Sequence, residues 1–487
     1  MSFPSLLPAR DYLSRTRLPG AHLPLLLSVV VAIACSESER PRSAVLITID
    51  TLRADHVGSY RQAAATKSAT PHIDALAGRG VLFERAAAPM GLTRPSHFSM
   101  LTSLYPREHG VLNNAIALPD DVRTLPEMLR EADYRTAAFV SVVLLGPNSG
   151  AGQGFETLVH PTKPRERSAG STVDGALEWI SSLSNSEAFF LWVHLFDPHL
   201  PYAPPAEFRP AAAAGQDTTV SLDWPEFISS ASANGGDIPA SVLSRARSLY
   251  AAEVNYADRE LGRLLEGLAL HGRAADTVIV FTADHGEAFG HGSYFEHADS
   301  LFDGTVAIPL IVAGDEPLVG GVRVSSQVSS VDIAPTLLTA LSLPVPAGFS
   351  GSPLQERLVR GGEADSQEHF VLIQHPFYQK SIARHRSRKR APIQSVAGDP
   401  VETLLVDAER VGVVSEEWKL LRTGEQFELY HRPSGESENL AATNPSELAR
   451  LRGELERLLE AHPLRLIDER AINDELLEAL RALGYTH

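Results

Sequence analysis

The sequence predicts an α/β fold: a sandwich on a mostly parallel central sheet, with a small C-terminal α+β subdomain. Three observations predict it. Apolar, β-rich runs without polar alternation recur at 44–49, 189–196 and 277–281, as expected of strands buried on both faces. Helical patterns fall between them, which is the alternation of an α/β sandwich. After about Pro353 the pattern changes to short alternating strands.

The elements follow in chain order. Arg10, Arg15 and Arg17 precede an apolar run, 23–34, that ends in Ala32-Ile33-Ala34-Cys35. A basic start, a short apolar stretch and small residues at its end describe a secretory signal over 1–35. The run is short for a bilayer span. Its end is similar to a bacterial lipoprotein signal, although Ala32 stands where leucine is usual. Lipidation at Cys35 would leave a polar tether, 36–43, and an exported protein, periplasmic or anchored to an outer membrane. A plain secretory signal is the alternative. Cys35 is the one cysteine, so neither a disulfide framework nor a thiolate metal site is available.

The first buried run ends in Asp50-Thr51, and ligands collect at the carboxyl ends of strands in open α/β sheets. Thr70-Pro71 opens a helix that Gly80 ends. A short strand, 81–83, leads to Gly91-Leu92-Thr93-Arg94-Pro95-Ser96-His97. The residue before a proline is driven out of the α region, and Pro95 suits a first helical turn. Thr93 is therefore expected just before a helix start, where the dipole favours negative charge. On local sequence it is either an N-cap or a nucleophile.

A helix at 125–129, a strand at 136–143 and an amphipathic helix at 173–183 come next. The second buried run ends in Asp197-Pro198-His199. Residues 204–248, rich in Ala, Gly, Ser and Pro, read as an insertion, followed by a long helix, 249–270. The third run ends in Thr282-Ala283-Asp284-His285-Gly286-Glu287. A fourth strand, 306–312, and a capped helix, 332–341, complete a catalytic domain over 44–352. The C-terminal subdomain, 353–487, is expected to hold strands at 370–373, 402–406, 411–414 and 418–421, then helices at 447–459 and 474–483.

A net charge of −17 on 487 residues argues against nucleic acid as a partner. The basic run 380–390 is either a solvated loop or a contact for anionic head groups. Carboxylates and histidines at three strand ends suit Ca²⁺, Mg²⁺, Mn²⁺ or Zn²⁺. A divalent ion would lower the pKa of the Thr93 alcohol. Asp55 and His56 read as helix-start residues, His291 as a loop residue, and Glu287 as support for the ion or part of a first turn.

Several stretches together resemble the sulfatase family of the alkaline phosphatase superfamily. They are Leu46-Ile47-Thr48-Ile49-Asp50-Thr51-Leu52-Arg53-Ala54-Asp55-His56, Thr70-Pro71-His72-Ile73-Asp74, Thr93-Arg94-Pro95-Ser96-His97, Asp197-Pro198-His199 and Asp284-His285-Gly286-Glu287. The resemblance runs over 44–341 and continues weakly through Trp418-Lys419-Leu420 and Glu438-Asn439-Leu440. It implies that Asp50, Asp284, His285 and Thr93 bind a divalent metal, whether Ca, Zn or Mn. His199 would contact the anionic group or protonate the leaving oxygen, and His297 would hold a second oxygen or a second metal. His97 and Asp197 would face the substrate.

Three departures qualify the resemblance. Thr93 stands where sulfatases carry the precursor of formylglycine, so no formylglycine is expected. His97 replaces an arginine, and Ser141 lies about where a sulfate-binding lysine is usual. Related phosphodiesterases and phosphoethanolamine transferases use a threonine directly. The resemblance thus implies a metal-dependent hydrolase of sulfate or phosphate esters, with glycans or lipid head groups as candidate substrates. A phosphodiesterase or phosphoethanolamine-type transferase is one alternative. A non-catalytic binder of anionic glycans or lipids is another.

Overall fold

The computed structural model describes residues 42–61, 69–162, 166–210, 221–223, 226, 229, 230, 238–289, 297, 300–314, 318, 320–358, 368–375, 409–465 and 467. The signal and tether over 1–41, His291, the basic run 380–390, the strand expected at 402–406 and the helix expected at 474–483 lie outside them. Among the described residues no helix is long and apolar enough to cross a membrane.

Eight strands form the main sheet: β1 (Ser43–Ile49), β2 (Val81–Ala87), β3 (Arg135–Val140), β4 (Thr157–Val159), β5 (Phe189–Leu195), β6 (Thr277–Ala283), β7 (Ala307–Ala313) and β8 (Val322–Ser329). Their order is β4-β3-β5-β1-β6-β7-β2-β8. Only β7 runs against its neighbours, β6 and β2; every other pair is parallel. The ends of β1, β5, β6 and β2 and the start of β7 therefore share one edge of the sheet. Every residue of β1, β5 and β6 is buried, which is why these strands read as unbroken apolar runs.

Two strands escape the sequence pattern. β8 (Val-Arg-Val-Ser-Ser-Gln-Val-Ser) is polar on alternate residues and lies at the sheet edge. β4 is three residues long and half-buried, at the other edge. The long helix begins at Ala240 rather than 249 and runs to Leu270. The last stretch of the expected insertion is thus its first two turns, whose small and polar residues mask the helical period.

The C-terminal sheet has the order β12-β11-β10-β9, from β9 (Val371–Gln374), β10 (Arg410–Val414), β11 (Trp418–Thr423) and β12 (Gln426–His431), all antiparallel. Its side chains alternate between two cores, as period-2 pleating requires. Val411, Val413, Leu420 and Leu429 pack with Leu451, Leu455 and Leu458 of the helix Pro445–Ala461. Ile373, Val414, Leu421 and Tyr430 pack on Ala87, Leu301, Phe302 and Val306 of the main domain. An ion network crosses the same boundary. Fully buried Lys419 reaches Asp303 at 2.7 Å and Glu436 at 2.5 Å, and Arg432 reaches Asp303 at 3.0 Å.

Candidate active site

Asp50 and Asp284 leave the neighbouring strands β1 and β6 at one level, because Ile49 pairs with Ala283. Both are fully buried, as is His285. Thr51 takes the left-handed conformation, φ 53°, which is costly for a β-branched residue. The turn it makes aims the Thr51 N–H at Asp284 Oδ1, 3.3 Å away, and the His285 N–H donates to the same oxygen at 2.8 Å. Asp284 Oδ2, both carboxylate oxygens of Asp50 and Nε2 of His285 have no hydrogen-bond partner. His285 Nε2 lies 3.3 Å from Asp284 Oδ2 and 3.8 Å from Asp50 Oδ1.

The His285 tautomer follows from its other nitrogen. Nδ1 meets the Gly286 carbonyl at 3.0 Å. A carbonyl only accepts, so Nδ1 carries the proton and Nε2 presents a lone pair toward two carboxylates. Buried oxygens and a nitrogen lone pair facing one another repel unless a cation lies between them. Asp50, Asp284 and His285 each bring one ligand atom within 4.8 Å of the others. This donor set fits a divalent ion. In its absence burial pushes the Asp50 carboxyl up to about 7. Burial and then the charge of Asp50 take Asp284 to about 7. Burial takes His285 down to about 4.

Helix α1 spans Pro71–Arg79 and α2 spans Thr93–Thr102. All ten residues of α2 are buried. Leu92 is the N-cap of α2 and Thr93 its first residue, so the helix starts two residues before the expected Pro95. Thr93 is not a cap; it lies in the first turn, 1% exposed. The approach to it is tight. A Cβ on Gly91 would lie 2.7 Å from the His297 carbonyl and 2.5 Å from Thr305 Cγ2.

The far wall is aromatic and acidic. The His297 ring stacks on His285, with centroids 4.3 Å apart, and meets His199 edge-on at 5.2 Å. His199 stacks on Phe196 and directs Nδ1 to the Leu200 carbonyl at 2.6 Å. Burial and then the neighbouring His297 hold its pKa well below the usual value. Glu287 Oε1 faces His297 Nδ1 at 3.5 Å, and Tyr202 donates to Oε2 at 3.4 Å. Burial pushes Glu287 up to about 8. The arginines adjoining these motifs are committed elsewhere. Arg53 binds Asp55 and the Glu287 carbonyl, and buried Arg94 donates to the carbonyls of Leu144 and Ile116.

Asp197 and His97, expected to face substrate, and Ser141 make the following contacts; His97 Nδ1 also lies 3.6 Å from Asp284 Oδ2. Asp197 accepts from the Ala169 N–H at 2.9 Å, at the start of the helix Ala169–Ser182, so its carboxylate serves that helix. His97 meets the Thr93 carbonyl through Nδ1 at 2.8 Å and the Thr48 hydroxyl through Nε2 at 3.0 Å. Both its nitrogens face protein, and burial takes it down to about 3. Ser141 bonds the His194 carbonyl and Thr172, each at 2.8 Å. Asp55 and His56 lie in a short 3-10 turn on the surface, paired to each other at 2.9 Å.

His194 was not expected at the site. It is fully buried, its Nε2 lies 3.4 Å from Asp50 Oδ2, and it groups with His97 and Asp284 as a second candidate set of ligands. The register explains it: His194 pairs with Thr48, which pairs with Thr282. One polar row thus crosses three apolar strands just below the carboxylates. A polar residue one or two places before each strand end was the available signal.

Comparison with known proteins identifies the family and the fold. The chain is 23% identical over 401 residues to N-acetylglucosamine-6-O-sulfatase of Bacteroides thetaiotaomicron, covering 65% of this chain and 72% of that one. It is 27% identical over 333 residues to human N-sulphoglucosamine sulphohydrolase, and the match spans 63% of this chain and 62%, less than two thirds, of the human enzyme. Among solved structures, one of BT4656 in complex with its substrate D-glucosamine-2-N,6-O-disulfate superposes with a TM-score of 0.68 at 18% identity, covering 87% of this chain and 98% of that one. A phosphonate monoester hydrolase from Silicibacter pomeroyi gives a TM-score of 0.67 at 19% identity, covering 89% and 98%. The family model described as Sulfatase matches residues 42–343, and this chain belongs to the sulfatase family.

Proposed function

We propose that this chain is a metal-dependent hydrolase of sulfate or phosphate esters with Thr93 as its nucleophile. One observation carries the reading: His97 Nδ1 bonds the Thr93 carbonyl at 2.8 Å and lies 3.6 Å from the unpartnered Asp284 Oδ2, which puts the first turn of α2, with its hydroxyl-bearing first residue, beside the buried carboxylates. Asp50, Asp284 and His285 would hold a divalent ion, which would supply charge neutralisation and Lewis acidity. Zn²⁺ or Mn²⁺ fits the mixed carboxylate–imidazole set better than Ca²⁺, which takes about six to eight oxygens.

The residues divide the work as follows. Thr93 Oγ1 gives up its proton to solvent and attacks phosphorus or sulfur in line, and the bond to the leaving oxygen breaks. In this reading His199, with His297 against its ring, protonates that oxygen. The low proton affinity of His199 rises when an anionic ester lies beside it, so substrate charge recruits the proton. Water then attacks the threonine ester, and Thr93 regains its proton; another alcohol in place of water gives transfer.

Within this class, the side chain at 93 favours phosphorus, and a phosphodiester above all. Threonine cannot form the geminal diol through which formylglycine discharges sulfate. His97 and Ser141 stand where sulfatases carry an arginine and a lysine, which leaves the site less cationic, so a monoanion suits it better than a dianion. A sulfated sugar is the second reading, favoured by the similarity to sulfatases that act on N-acetylglucosamine and sulphoglucosamine. The proposal includes export through residues 1–35, with Cys35 as a lipid anchor; Cys35→Ala is expected to move the protein from the membrane fraction to the soluble one.

The test is a panel with Zn²⁺ or Mn²⁺ added: bis-p-nitrophenyl phosphate, p-nitrophenyl phosphate, p-nitrophenyl sulfate and sulfated glucosamine. Mass analysis of acid-quenched protein would look for a phospho- or sulfo-adduct on Thr93. Turnover of the diester with an adduct at Thr93 supports the reading. No turnover of any member with the ion bound would leave a binder of anionic glycans or lipids in its place.

A further inference from the structure

We infer that His194 is a positioning residue that holds Asp50 in its metal-binding orientation through an Nε2–H proton, and that the Ser141 backbone fixes that proton there. The argument rests on a contrast between two histidines at one carboxylate. The Nδ1 of His285 meets a carbonyl, which forces the proton onto Nδ1 and bares a lone pair at Nε2. The Nδ1 of His194 meets the opposite partner, the Ser141 backbone N–H at 3.4 Å. An N–H only donates, so Nδ1 must be the acceptor and the proton sits on Nε2.

That Nε2 lies 3.4 Å from Asp50 Oδ2 and has no other hydrogen-bond partner, nor does Oδ2. A small rotation of either side chain closes the gap to a hydrogen bond. Asp50 Oδ1, on the other side of the carboxylate, faces the lone pair of His285. The two histidines thus divide the carboxylate: His194 takes one oxygen as donor, and the other is left for the ion with His285. Ring packing holds His194 in place, edge-on to His97 at 4.9 Å and to Trp192 at 6.4 Å. Ser141 Oγ, bonded to the His194 carbonyl and to Thr172, anchors the backbone that supplies the N–H.

Ser141 therefore acts through its backbone on the metal side, not as an anion-binding side chain. A carboxylate ligand held by a hydrogen-bond donor is a recurring support of metal sites, and its loss typically weakens binding about 10–100-fold. The inference rests on Asp50 as a metal ligand and is independent of the chemistry at Thr93.

Two measurements test it on the full-length protein, neither using turnover. The first is Mn²⁺ and Zn²⁺ affinity by calorimetry for wild type, His194→Gln and His194→Leu. The glutamine keeps an N–H donor near Nε2; the leucine does not. Binding about 10–100-fold weaker in His194→Leu, largely restored in His194→Gln, is expected. Unchanged affinity in His194→Leu overturns the inference. So does binding of two ions by wild type with one lost in both variants, which would make His194 a ligand. The second covers the case in which the leucine variant does not fold. Histidine ¹⁵N spectra of metal-free wild type, with His194 assigned by its absence in His194→Gln, should show the Nε2–H tautomer; an Nδ1–H tautomer overturns the inference.

Discussion

His97 and Thr93 are joined by a hydrogen bond across one turn of α2, from the imidazole Nδ1–H to the Thr93 carbonyl at 2.8 Å. The other nitrogen of His97 takes the Thr48 hydroxyl proton, and that hydroxyl accepts from the Trp192 indole N–H at 3.0 Å. The chain Trp192–Thr48–His97–Thr93 is satisfied at every atom it uses. It fixes the first turn of the helix to the central strand. His97→Ala is expected to cost about 2–4 kcal/mol of stability, from lost packing and a Thr48 hydroxyl proton left without its acceptor. Denaturant midpoints measure it. A raised KM at unchanged stability would restore His97 to the substrate side.

Thr93→Ala should lower kcat on the preferred ester on the order of 10⁶-fold, the scale seen when a nucleophile is removed. Thr93→Ser should keep a substantial fraction, since the hydroxyl remains. Metal affinity, measured in parallel, separates a lost nucleophile from a lost site. Wild-type rates in Thr93→Ala would exclude covalent catalysis by this residue.

Metal binding should release protons in a pH-dependent way. Without the ion, Asp50 and Asp284 have pKa values raised to about 7, so below that pH the carboxyls are largely protonated. His285 and His194, lowered to about 4, are already neutral there and release nothing. Calorimetry in buffers of different ionisation enthalpy should find clear proton release at about pH 6 and little at about pH 8.5. Release that grows with pH would reverse the sign and contradict the assignment of these carboxyls as ligands.

Gly91→Ala places a methyl group against the His297 carbonyl and Thr305. The first of these is the backbone of His297, whose ring stacks on His285. The substitution should reduce activity more than it reduces stability, with a loss of about tenfold or greater in kcat/KM. Parallel rate and unfolding measurements decide it; a purely structural loss would lower both together.

Removing the buried cation at the C-terminal boundary should be costly. Lys419→Met leaves Asp303 and buried Glu436 without their shared partner, for an expected loss of about 3–5 kcal/mol. Burial opposes the charged form of Asp303, but Lys419 and Arg432 outweigh it and hold the carboxyl below its ordinary range. Its contribution is therefore complete above about pH 4 and lost as the pH falls below that. Stability followed from about pH 7 to 2 should drop less steeply in Asp303→Asn than in wild type. Equal slopes would remove Asp303 from the acid transition.

Much of the site was legible because a carboxylate ending a buried apolar run is conspicuous. Asp50, Asp284 and His285 were found that way, and the structure gathers them within one metal-sized space. His194 and Thr48 were passed over because they lie inside such runs, where only register shows that they align. The bond from Asp197 to a helix start 28 residues earlier in sequence is a pairing that no spacing encodes. β8 was missed for its alternating polar residues, and the reversed direction of β7 leaves no mark on its own composition. The early start of α2 reflects tertiary support: Leu92 is a poor cap, but the Asn114 side chain accepts from the Arg94 N–H at 2.9 Å.

Lys419 and its partners also constrain how the gene can be cut or recombined. Ending the chain near Pro353 would bare Leu301, Phe302 and Val306 and strip Asp303 of both counter-charges. Those residues immediately follow the stretch that carries His297. A minimal catalytic fragment is therefore not available by truncation. A chimera that exchanges C-terminal segments between relatives should fold only if residues 300–306 travel with the small sheet.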